Sequence, residues 1–313
     1  MNHSIPLGIS ACLLGEPVRY DGQDKHLPWA TQTLVNHFQL IPVCPEVGAG
    51  LGVPRPPVRL VQDDKGLHLL GLQPGLDVTT TLAPYCSRES ARLATVPVAP
   101  RGFLFKSRSP SCAMGSAPVF NREGTIIRQD SGLFARAWIQ ASPLAVVVEE
   151  TDLQTEPQRR HFIERVFVLD RWMRFVQNDG SYRGLSTFQA RHKMQIMAHD
   201  REAMQTLGRL ASGDEGSPPL EAYGQNLMRV LAQPATLARQ VDCLMHLYGF
   251  MKTTTPETAN KEFLQLLETV RLGQEPVQTA RSWLQHWARS TQNDYVLEQW
   301  YLFPDPREAE ISL

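Results

Sequence analysis

The sequence predicts an α/β amino-terminal domain with a mostly parallel, Rossmann-like sheet, followed by an all-α carboxy-terminal domain. In the first half, short apolar runs alternate with segments of helical periodicity, an order typical of strands joined by crossover helices. After about residue 155, β-type runs give way to amphipathic segments separated by turn-forming residues. A chain of 313 residues is expected to form more than one domain. We therefore place the two domains at 1–152 and 153–313.

The predicted elements of the first domain follow from apolar periodicity and turn-forming clusters. Apolar runs predict four buried strands at 7–11, 40–43, 101–106 and 144–149. Two further runs, 58–70 and 119–128, carry turn-forming residues at their centres and are predicted to be hairpins. Helical spacing of apolar residues predicts helices at 28–38, 77–94 and 132–141.

The second domain contains six predicted helices. Turn-forming residues interrupt the amphipathic pattern near Gly180, within 212–218 and at Gly273, as expected for helix ends. The predicted helices are 157–177, 184–211, 219–233, 235–252, 256–272 and 275–301.

Composition limits the class of protein. The chain is 42% hydrophobic and 20% charged, with a formal net charge of −1, and no apolar run approaches the ~20 residues needed to span a bilayer. The segment 9–12 resembles a lipoprotein cleavage box, but no basic region precedes it. We therefore expect a cytoplasmic protein with no membrane partner. Five cysteines, an odd and widely spread set, argue against a disulfide scaffold.

Three of the cysteines follow predicted strands of the parallel sheet. Cys12 and Cys44 come directly after strands 7–11 and 40–43, and Cys112 lies six residues beyond strand 101–106. The carboxyl ends of parallel strands share one edge of a sheet, where α/β proteins bind ligands. We therefore expect the three thiols to converge. Cys86 and Cys243 lie in predicted helices and are interpreted as small packing residues, as is common for free cysteines.

The number and spacing of these thiols favour one kind of cofactor. Structural zinc takes four ligands, commonly from C-x-x-C pairs, which are absent here. Three thiolates without a fourth suit a 4Fe–4S cluster with three protein ligands and one open iron, and such an iron is a Lewis acid. The alternative is three unrelated buried cysteines.

Three motifs around these cysteines resemble the TudS-type thiouracil desulfidase family. They are SACLLG-x-x-VRYDG at 10–22, VCPE at 43–46 with the Pro-rich segment after it, and KSRSPSC at 106–112. The resemblance implies that Cys12, Cys44 and Cys112 ligate the cluster, and that the open iron takes the sulfur of a thiolated pyrimidine. Hydrolysis then converts C=S to C=O and releases hydrosulfide. One departure is Ala113, where the family pattern has glycine after the cysteine.

The second half resembles the YbgA-type helical domain, which is commonly fused to the desulfidase module. The motifs are TFQARHKMQIMAHD at 187–200, HLYGF at 246–250 and EQWYLFPDPRE at 298–308. The resemblance implies 4-thiouridine in transfer RNA as the substrate, with the helical domain recruiting the RNA and no obligate protein partner evident. One alternative is a desulfidase of free thiouracil or thiouridine monophosphate. Another is a non-catalytic iron–sulfur regulator that binds RNA.

Charge is uneven in the second half. Residues 158–209 contain 10 Lys/Arg and 5 Asp/Glu, whereas 210–313 contain 8 and 13. Basic stretches with aromatic residues are suited to contacts with phosphates. The predicted RNA contacts are Arg159, Arg160, Arg191, His192 and Lys193. The alternative is that these side chains form solvated helix faces and that His192 packs internally.

Glu46 is the carboxylate best placed for chemistry, because it lies two residues after Cys44. We expect it to orient water or move protons. The alternative is a helix N-cap or an ion pair with Arg55.

Four further residues are candidates for positioning the substrate. Ser109 is the preferred proton-relay or positioning hydroxyl, with Ser107 in reserve, and the alternative for both is local bonding to the loop backbone. Lys106 is expected to hold a nucleotide phosphate. Asp21 is expected to contact the pyrimidine edge, with a structural pair to Arg19 as its alternative.

Overall fold

The computed structural model describes residues 4–73, 75–96, 99–213 and 216–311. The chain divides into two compact units. The first takes the described residues up to Leu169 together with Ile311, and the second is Asp170–Glu310. The sequence-based boundary between 152 and 153 lies just before the helix Glu156–Asn178, whereas the two units divide inside this helix.

The first unit contains a parallel sheet that confirms the predicted fold class. Its strands lie in the order β2 (Phe38–Val43), β1 (Ile5–Ser10), β5 (Gly102–Phe105) and β8 (Val146–Glu149), and every neighbouring pair is parallel. All residues of β1 and β5 are buried, as expected for central strands of a parallel sheet. In chain order, the eight strands of the unit are β1 (Ile5–Ser10), β2 (Phe38–Val43), β3 (Val58–Asp63), β4 (Gly66–Gly71), β5 (Gly102–Phe105), β6 (Met114–Phe120), β7 (Ile126–Ser131) and β8 (Val146–Glu149).

The two predicted hairpins form a second sheet of order β4-β3-β6-β7. Strands β3 and β4 pair antiparallel, as do β6 and β7, which confirms both hairpins. The pairing of the two hairpins with each other, through β3 and β6, was not predicted. It depends on a short parallel contact in which Leu60 and Val61 pair with Val119 and Phe120, and a contact between residues so far apart in sequence leaves no local pattern.

Helices and turns connect the strands. A π-helical turn, Ala30–Leu34, continues into α1 (Val35–His37), and 3₁₀ turns occur at Ala11–Leu14 and Glu150–Asp152. The predicted helix 28–38 is wrong at its end, because Phe38 is buried and opens β2 opposite Ile5. The remaining helices of this region are α2 (Pro45–Gly48), α3 (Thr79–Thr95) and α4 (Leu133–Ala141).

An aromatic cluster packs beside the parallel sheet. The rings of Phe103 and Phe105 stack at a centroid distance of 4.2 Å, and Phe134 and Trp138 pack against Phe103. Full burial of each such side chain contributes on the order of 2–3 kcal/mol. A Cβ atom at Gly8 would lie 2.2 Å from the Phe103 ring. Glycine at this position therefore lets β1 approach the aromatic layer.

The second unit is helical, and no strand occurs among its described residues (170–213 and 216–310). The predicted helix 184–211 is interrupted at Asp200, whose backbone is extended and whose carboxylate caps the next helix through the N–H of Ala203. The predicted helix 275–301 ends at Ser290. After α5 (Glu156–Asn178), the helices are α6 (Tyr182–His199), α7 (Arg201–Leu210), α8 (Leu220–Leu231), α9 (Leu237–Gly249), α10 (Glu257–Arg271), α11 (Val277–Ser290), α12 (Asp294–Leu297) and α13 (Pro306–Ala309).

Helix α5 contains 23 residues, but its apolar side chains alternate with charged ones. None of the helices in the described ranges combines the length and the apolar character needed to cross a bilayer.

Candidate functional site

A cavity of about 380 Å³ lies at the carboxyl ends of β1, β2 and β5. Cys12, Cys44 and Cys112 all line it, and none of them forms a disulfide. The structure therefore brings together the three thiols that the sequence placed at one edge of the sheet. Cys86 and Cys243 are buried elsewhere, in α3 and α9.

Short helical turns position the first two thiols. Cys12 lies in the 3₁₀ turn that follows β1, and Gly15, with φ of 85°, ends this turn. Cys44 is the N-cap residue of α2, and Pro45 occupies the first helical position, where its fixed φ suits a helix start. The carbonyl of Cys44 accepts the N–H of Gly48 at 2.9 Å. Both thiols are thus fixed directly after a buried strand.

The loop that carries Cys112 is held by its own serine and by a close backbone contact. Oγ of Ser109 accepts the N–H groups of Ser111 (3.3 Å) and Cys112 (3.1 Å). The loop lies against the start of α4, where a Cβ atom on Gly132 would come within 2.4 Å of the Ser111 carbonyl carbon and 2.8 Å of the Cys112 nitrogen. Gly132 therefore allows the loop to approach α4.

Burial and mutual repulsion oppose ionisation of the three thiols. Burial, with a further contribution from Cys44, raises the pKa of Cys12 to about 11. Burial also raises the pKa of Cys44 and holds that of Cys112 well above its ordinary value, with further contributions from both other thiols. A positively charged group bound between the thiols would favour their ionised form.

The donor set at the cavity is chemically suited to an iron–sulfur cluster. Across the described ranges, no three His, Cys, Asp or Glu side chains are arranged to bind one metal ion. Thiolates are the usual ligands of iron–sulfur clusters, and three cysteines line this cavity. The residues present therefore fit such a cluster.

Glu46 lines the same cavity and is held at both carboxylate oxygens. Its Oε1 accepts the hydroxyl of Ser111 at 2.8 Å, and its Oε2 accepts Nε and Nη2 of Arg55 at 2.8 and 2.6 Å. Arg55 also donates to the carbonyl of Val18 at 2.9 Å. Glu46 thus forms the ion pair with Arg55 that was its alternative role, and it also lies beside the thiols. Ser111 is a further site residue that the sequence reasoning did not assign.

Lys106 and Ser107 both line the cavity and are both engaged by Glu150, and the expectation that Lys106 holds a phosphate stays a prediction. The ammonium of Lys106 contacts the Glu150 carboxylate and donates to the carbonyl and hydroxyl of Ser107 at 3.0 and 2.9 Å. A lysine has three donors, and all three are used. Ser107 in turn donates its N–H (2.6 Å) and its hydroxyl (2.7 Å) to Glu150.

Two glutamates at the end of β8 were missed by the sequence reasoning. Burial opposes ionisation of Glu150, but hydrogen bonds from Lys106 and Ser107 outweigh it and hold the pKa of this carboxyl below its ordinary value. Glu149 accepts the N–H of Met114 (2.6 Å). The sequence signal that could have identified them is the position of both carboxylates at the carboxyl end of a predicted parallel strand.

The remaining substrate candidates occupy different surroundings. Ser109 lines the cavity, although its oxygen also makes the local backbone bonds that were its alternative role. Asp21 is exposed, lies 3.4 Å from Nε of Arg19 and accepts the N–H of Gln23. It is not among the residues that line the cavity, so the structural pair with Arg19 accounts for its position.

Two of the predicted RNA contacts lie in the first half of α5. Arg159 donates to the carbonyl of Leu153 at 2.9 Å and lies over the ring of Trp29. Arg160 is exposed and pairs with Glu156 at 2.6 Å. Arg160 is therefore a solvated helix-face residue, whereas Arg159 is half-buried.

The other predicted RNA contacts lie on α6. Arg191 lies over the ring of Trp300, and Lys193 is half-buried. His192 is almost fully buried, with 2% of its surface exposed, and its predicted contact with RNA stays a prediction. Its ring stacks on Phe188 at 3.9 Å and packs internally.

Comparison with known proteins assigns both halves of the chain. Residues 7–150 match the family model described as 2-thiouracil desulfurase, and residues 193–306 match a model described as a protein of unknown function, DUF1722. The uncharacterized protein YbgA of Escherichia coli (strain K12) is 21% identical over 147 residues, which is 46% of this chain and 87% of that protein.

A solved structure matches the first half. It is described as 4Fe-4S-dependent thiouracil desulfidase TudS, and it is 31% identical to this chain with a TM-score of 0.40. The match covers 48% of this chain and 93% of that protein. The two family models and the relative YbgA confirm the resemblance found in the motifs. Through residues 7–150, the chain belongs to the 2-thiouracil desulfurase family.

Proposed function

We propose that this protein is a 4Fe–4S-dependent, non-redox desulfidase that converts 4-thiouridine in transfer RNA to uridine. The observation that carries the proposal is one cavity lined by three thiols and a fixed carboxylate, with no fourth cysteine of the described chain on its wall. The cavity lies at the edge of a parallel sheet, where α/β proteins bind their ligands. Its volume of about 380 Å³ is within the range of small-molecule sites.

Cys12, Cys44 and Cys112 are the residues that would hold the cofactor. When bound, a cluster with three protein ligands supplies a Lewis-acidic iron to which a thiocarbonyl sulfur can bind. The net reaction adds one water to C4 of the base and breaks the C–S bond. C=S and H₂O thus become C=O, HS⁻ and H⁺, with no electron gained or lost.

Glu46 is proposed to move the proton in this reaction. Arg55 and Ser111 fix both oxygens of its carboxylate, so a water molecule in the cavity meets an acceptor of fixed direction. Glu46 would take a proton from this water as it adds to C4 and return it to the departing sulfur. General acid–base catalysis of this kind contributes typically about 10²–10⁴-fold in rate.

Ser109 is proposed to position the base. Its oxygen already accepts two backbone N–H groups, so its own hydroxyl hydrogen remains available to a group in the cavity. A pyrimidine offers carbonyl oxygens and ring nitrogens as acceptors. The hydroxyl of Ser107, in contrast, already donates to Glu150, which makes Ser109 the better candidate of the two.

Sulfide release tests the proposal directly. The full-length protein would be reconstituted with iron and sulfide under anaerobic conditions and given bulk transfer RNA containing 4-thiouridine or, in parallel, free thiouracil. We expect sulfide release from the RNA. Cys112→Ala should abolish it, because this substitution removes a thiol of the cavity, whereas Cys243→Ala removes a buried thiol of α9 and should retain it.

The outcomes separate the alternatives. Release of sulfide from thiouracil but not from RNA would show a desulfidase of free pyrimidines. A reconstituted protein that binds a cluster yet releases sulfide from neither substrate would instead be a non-catalytic iron–sulfur protein, and the proposal would fail.

A further inference from the structure

A second cavity, of about 510 Å³, lies within the helical unit and is lined by four arginines. Arg171 and Arg174 come from α5, and Arg183 and Arg191 come from α6. We propose that this cavity binds backbone phosphates of RNA. The inference rests on the proposed RNA substrate and names the part of the molecule that would hold it.

A close helix–helix contact builds the cavity. A Cβ atom at Gly184 would lie 1.8 Å from Oδ2 of Asp179 and 2.7 Å from the ring of Phe175. Glycine at this position therefore allows the first turn of α6 to lie directly against the end of α5. This contact brings the arginines of the two helices to one cavity.

The arginines of the cavity carry more positive charge than their neighbours compensate. Arg171 pairs with Glu308 at 3.4 Å, and Arg174 pairs with Asp170 at 2.7 Å. Arg183 and Arg191 have no acidic partner among the residues that the structure describes. Asp179 also lines the cavity, so the four arginines exceed the carboxylates of Asp170, Asp179 and Glu308 by one positive charge, which favours an anionic ligand.

Arg191 also has an unused donor. Within the described ranges, its Nε is buried and has no hydrogen-bond acceptor. Leaving a buried donor unpaired is unfavourable in folded proteins. A ligand that supplies an acceptor to this nitrogen would satisfy the unpaired donor.

Trp300 and His192 hold the arginines in place. Arg171 and Arg191 lie 4.4 and 4.7 Å from the centre of the Trp300 ring. Nε2 of His192 accepts Nε of Arg171 at 3.0 Å, which requires that nitrogen of His192 to be unprotonated. Burial, with a contribution from Arg171, keeps the pKa of His192 well below its ordinary value, so this hydrogen bond persists at neutral pH.

The geometry favours phosphate over other anions. A guanidinium binds the two non-bridging oxygens of a backbone phosphate through two parallel N–H groups, and several arginines at one cavity can contact successive phosphates of one RNA strand. A single carboxylate would need only one of these arginines. Arginines beside an aromatic ring are also a common feature of surfaces that bind nucleic acids.

Salt-dependent RNA binding tests the site independently of desulfurisation. Full-length holoprotein would be titrated against labelled transfer RNA transcribed without thiolated bases, at several salt concentrations. We expect Arg183→Gln and Arg191→Gln to weaken binding. Raising the salt concentration from about 50 to about 200 mM weakens RNA binding. For each phosphate contact that a variant has lost, this weakening should be about 3.5-fold smaller than in the wild-type protein. Arg271→Gln, an exposed α10 variant with the same change in net charge, should retain the wild-type slope.

The outcomes distinguish the site from the proposed function. If wild-type protein desulfurises thiolated RNA but both cavity variants bind RNA like Arg271→Gln, the phosphate site is refuted and the enzyme stands. If the cavity variants lose RNA affinity while no protein desulfurises RNA, the site stands and the substrate assignment fails. Arg183 is exposed, so its replacement tests the site even if Arg191→Gln disturbs the packing around Trp300.

Discussion

Replacing Lys106 with methionine removes the ammonium that compensates Glu150 and keeps a side chain of similar length. The side chains of the pair are 16% and 14% exposed. Breaking a fully buried pair costs about 3–5 kcal/mol, whereas exposed pairs contribute about 0–1 kcal/mol. The N–H and hydroxyl of Ser107 would still donate to Glu150. We therefore expect Lys106→Met to reduce the free energy of unfolding by about 2–3 kcal/mol.

The effect should depend on pH with a defined sign. The pKa of Glu150 is lowered in the folded protein, so this group stabilises the fold above the ordinary glutamate pKa of about 4.3. That contribution is lost as pH falls through the lower, folded pKa. Lys106→Met removes a main cause of the lowering. The difference between variant and wild type should thus be complete at neutral pH and shrink below about pH 4.

Pulsed hydrogen exchange of peptides covering β5 and β8 across a urea series would report the unfolding of this sheet. Lys65→Met, at an exposed turn position, is the matched control. A second variant, Lys106→Met with Glu150→Gln, should recover part of the stability because the uncompensated charge is removed. Equal stability of Lys106→Met and Lys65→Met at neutral pH would refute the reasoning.

Two further substitutions test the loop and the carboxylate of the site. Gly132→Ala places a Cβ atom within 2.4–2.8 Å of the backbone of Ser111 and Cys112, so we expect less than about half of the wild-type iron content after reconstitution. In the control, Gly249→Ala, the new Cβ atom meets no atom within 4 Å, so this variant should bind iron normally. Equal iron content in the two variants would contradict the expected effect of Gly132→Ala. Glu46→Gln keeps the shape of the side chain but removes the proton acceptor, so sulfide release should fall by roughly 10²–10⁴-fold at unchanged iron content. Near-normal activity would exclude Glu46 as the proton carrier.

The sequence was sufficient for features encoded by local patterns. Apolar runs identified all four strands of the parallel sheet, and the rule that parallel strands end at one edge brought Cys12, Cys44 and Cys112 together. These inferences need no knowledge of which side chains meet, because strand polarity alone determines where the carboxyl ends lie.

Features that depend on tertiary pairing were not accessible from the sequence. The pairing of Lys106 with Glu150 left no local signal because the two residues lie 44 positions apart. Packing and RNA contact both stood open for His192, because a helical pattern does not show that an arginine hydrogen-bonds to a buried imidazole. In both cases a polar side chain is satisfied inside the protein by a group that no local pattern identifies.

The wide separation of the three cavity cysteines has a consequence for how the cofactor is acquired. Cys44 follows Cys12 by 32 residues, and Cys112 follows Cys44 by 68. An unfolded chain therefore presents isolated thiols instead of a chelating motif, so the proposed cluster can be inserted only after the parallel sheet has formed. Binding free energy then adds to folding free energy. Iron-starved cells would make a less stable chain with a larger unfolded fraction, which proteases remove.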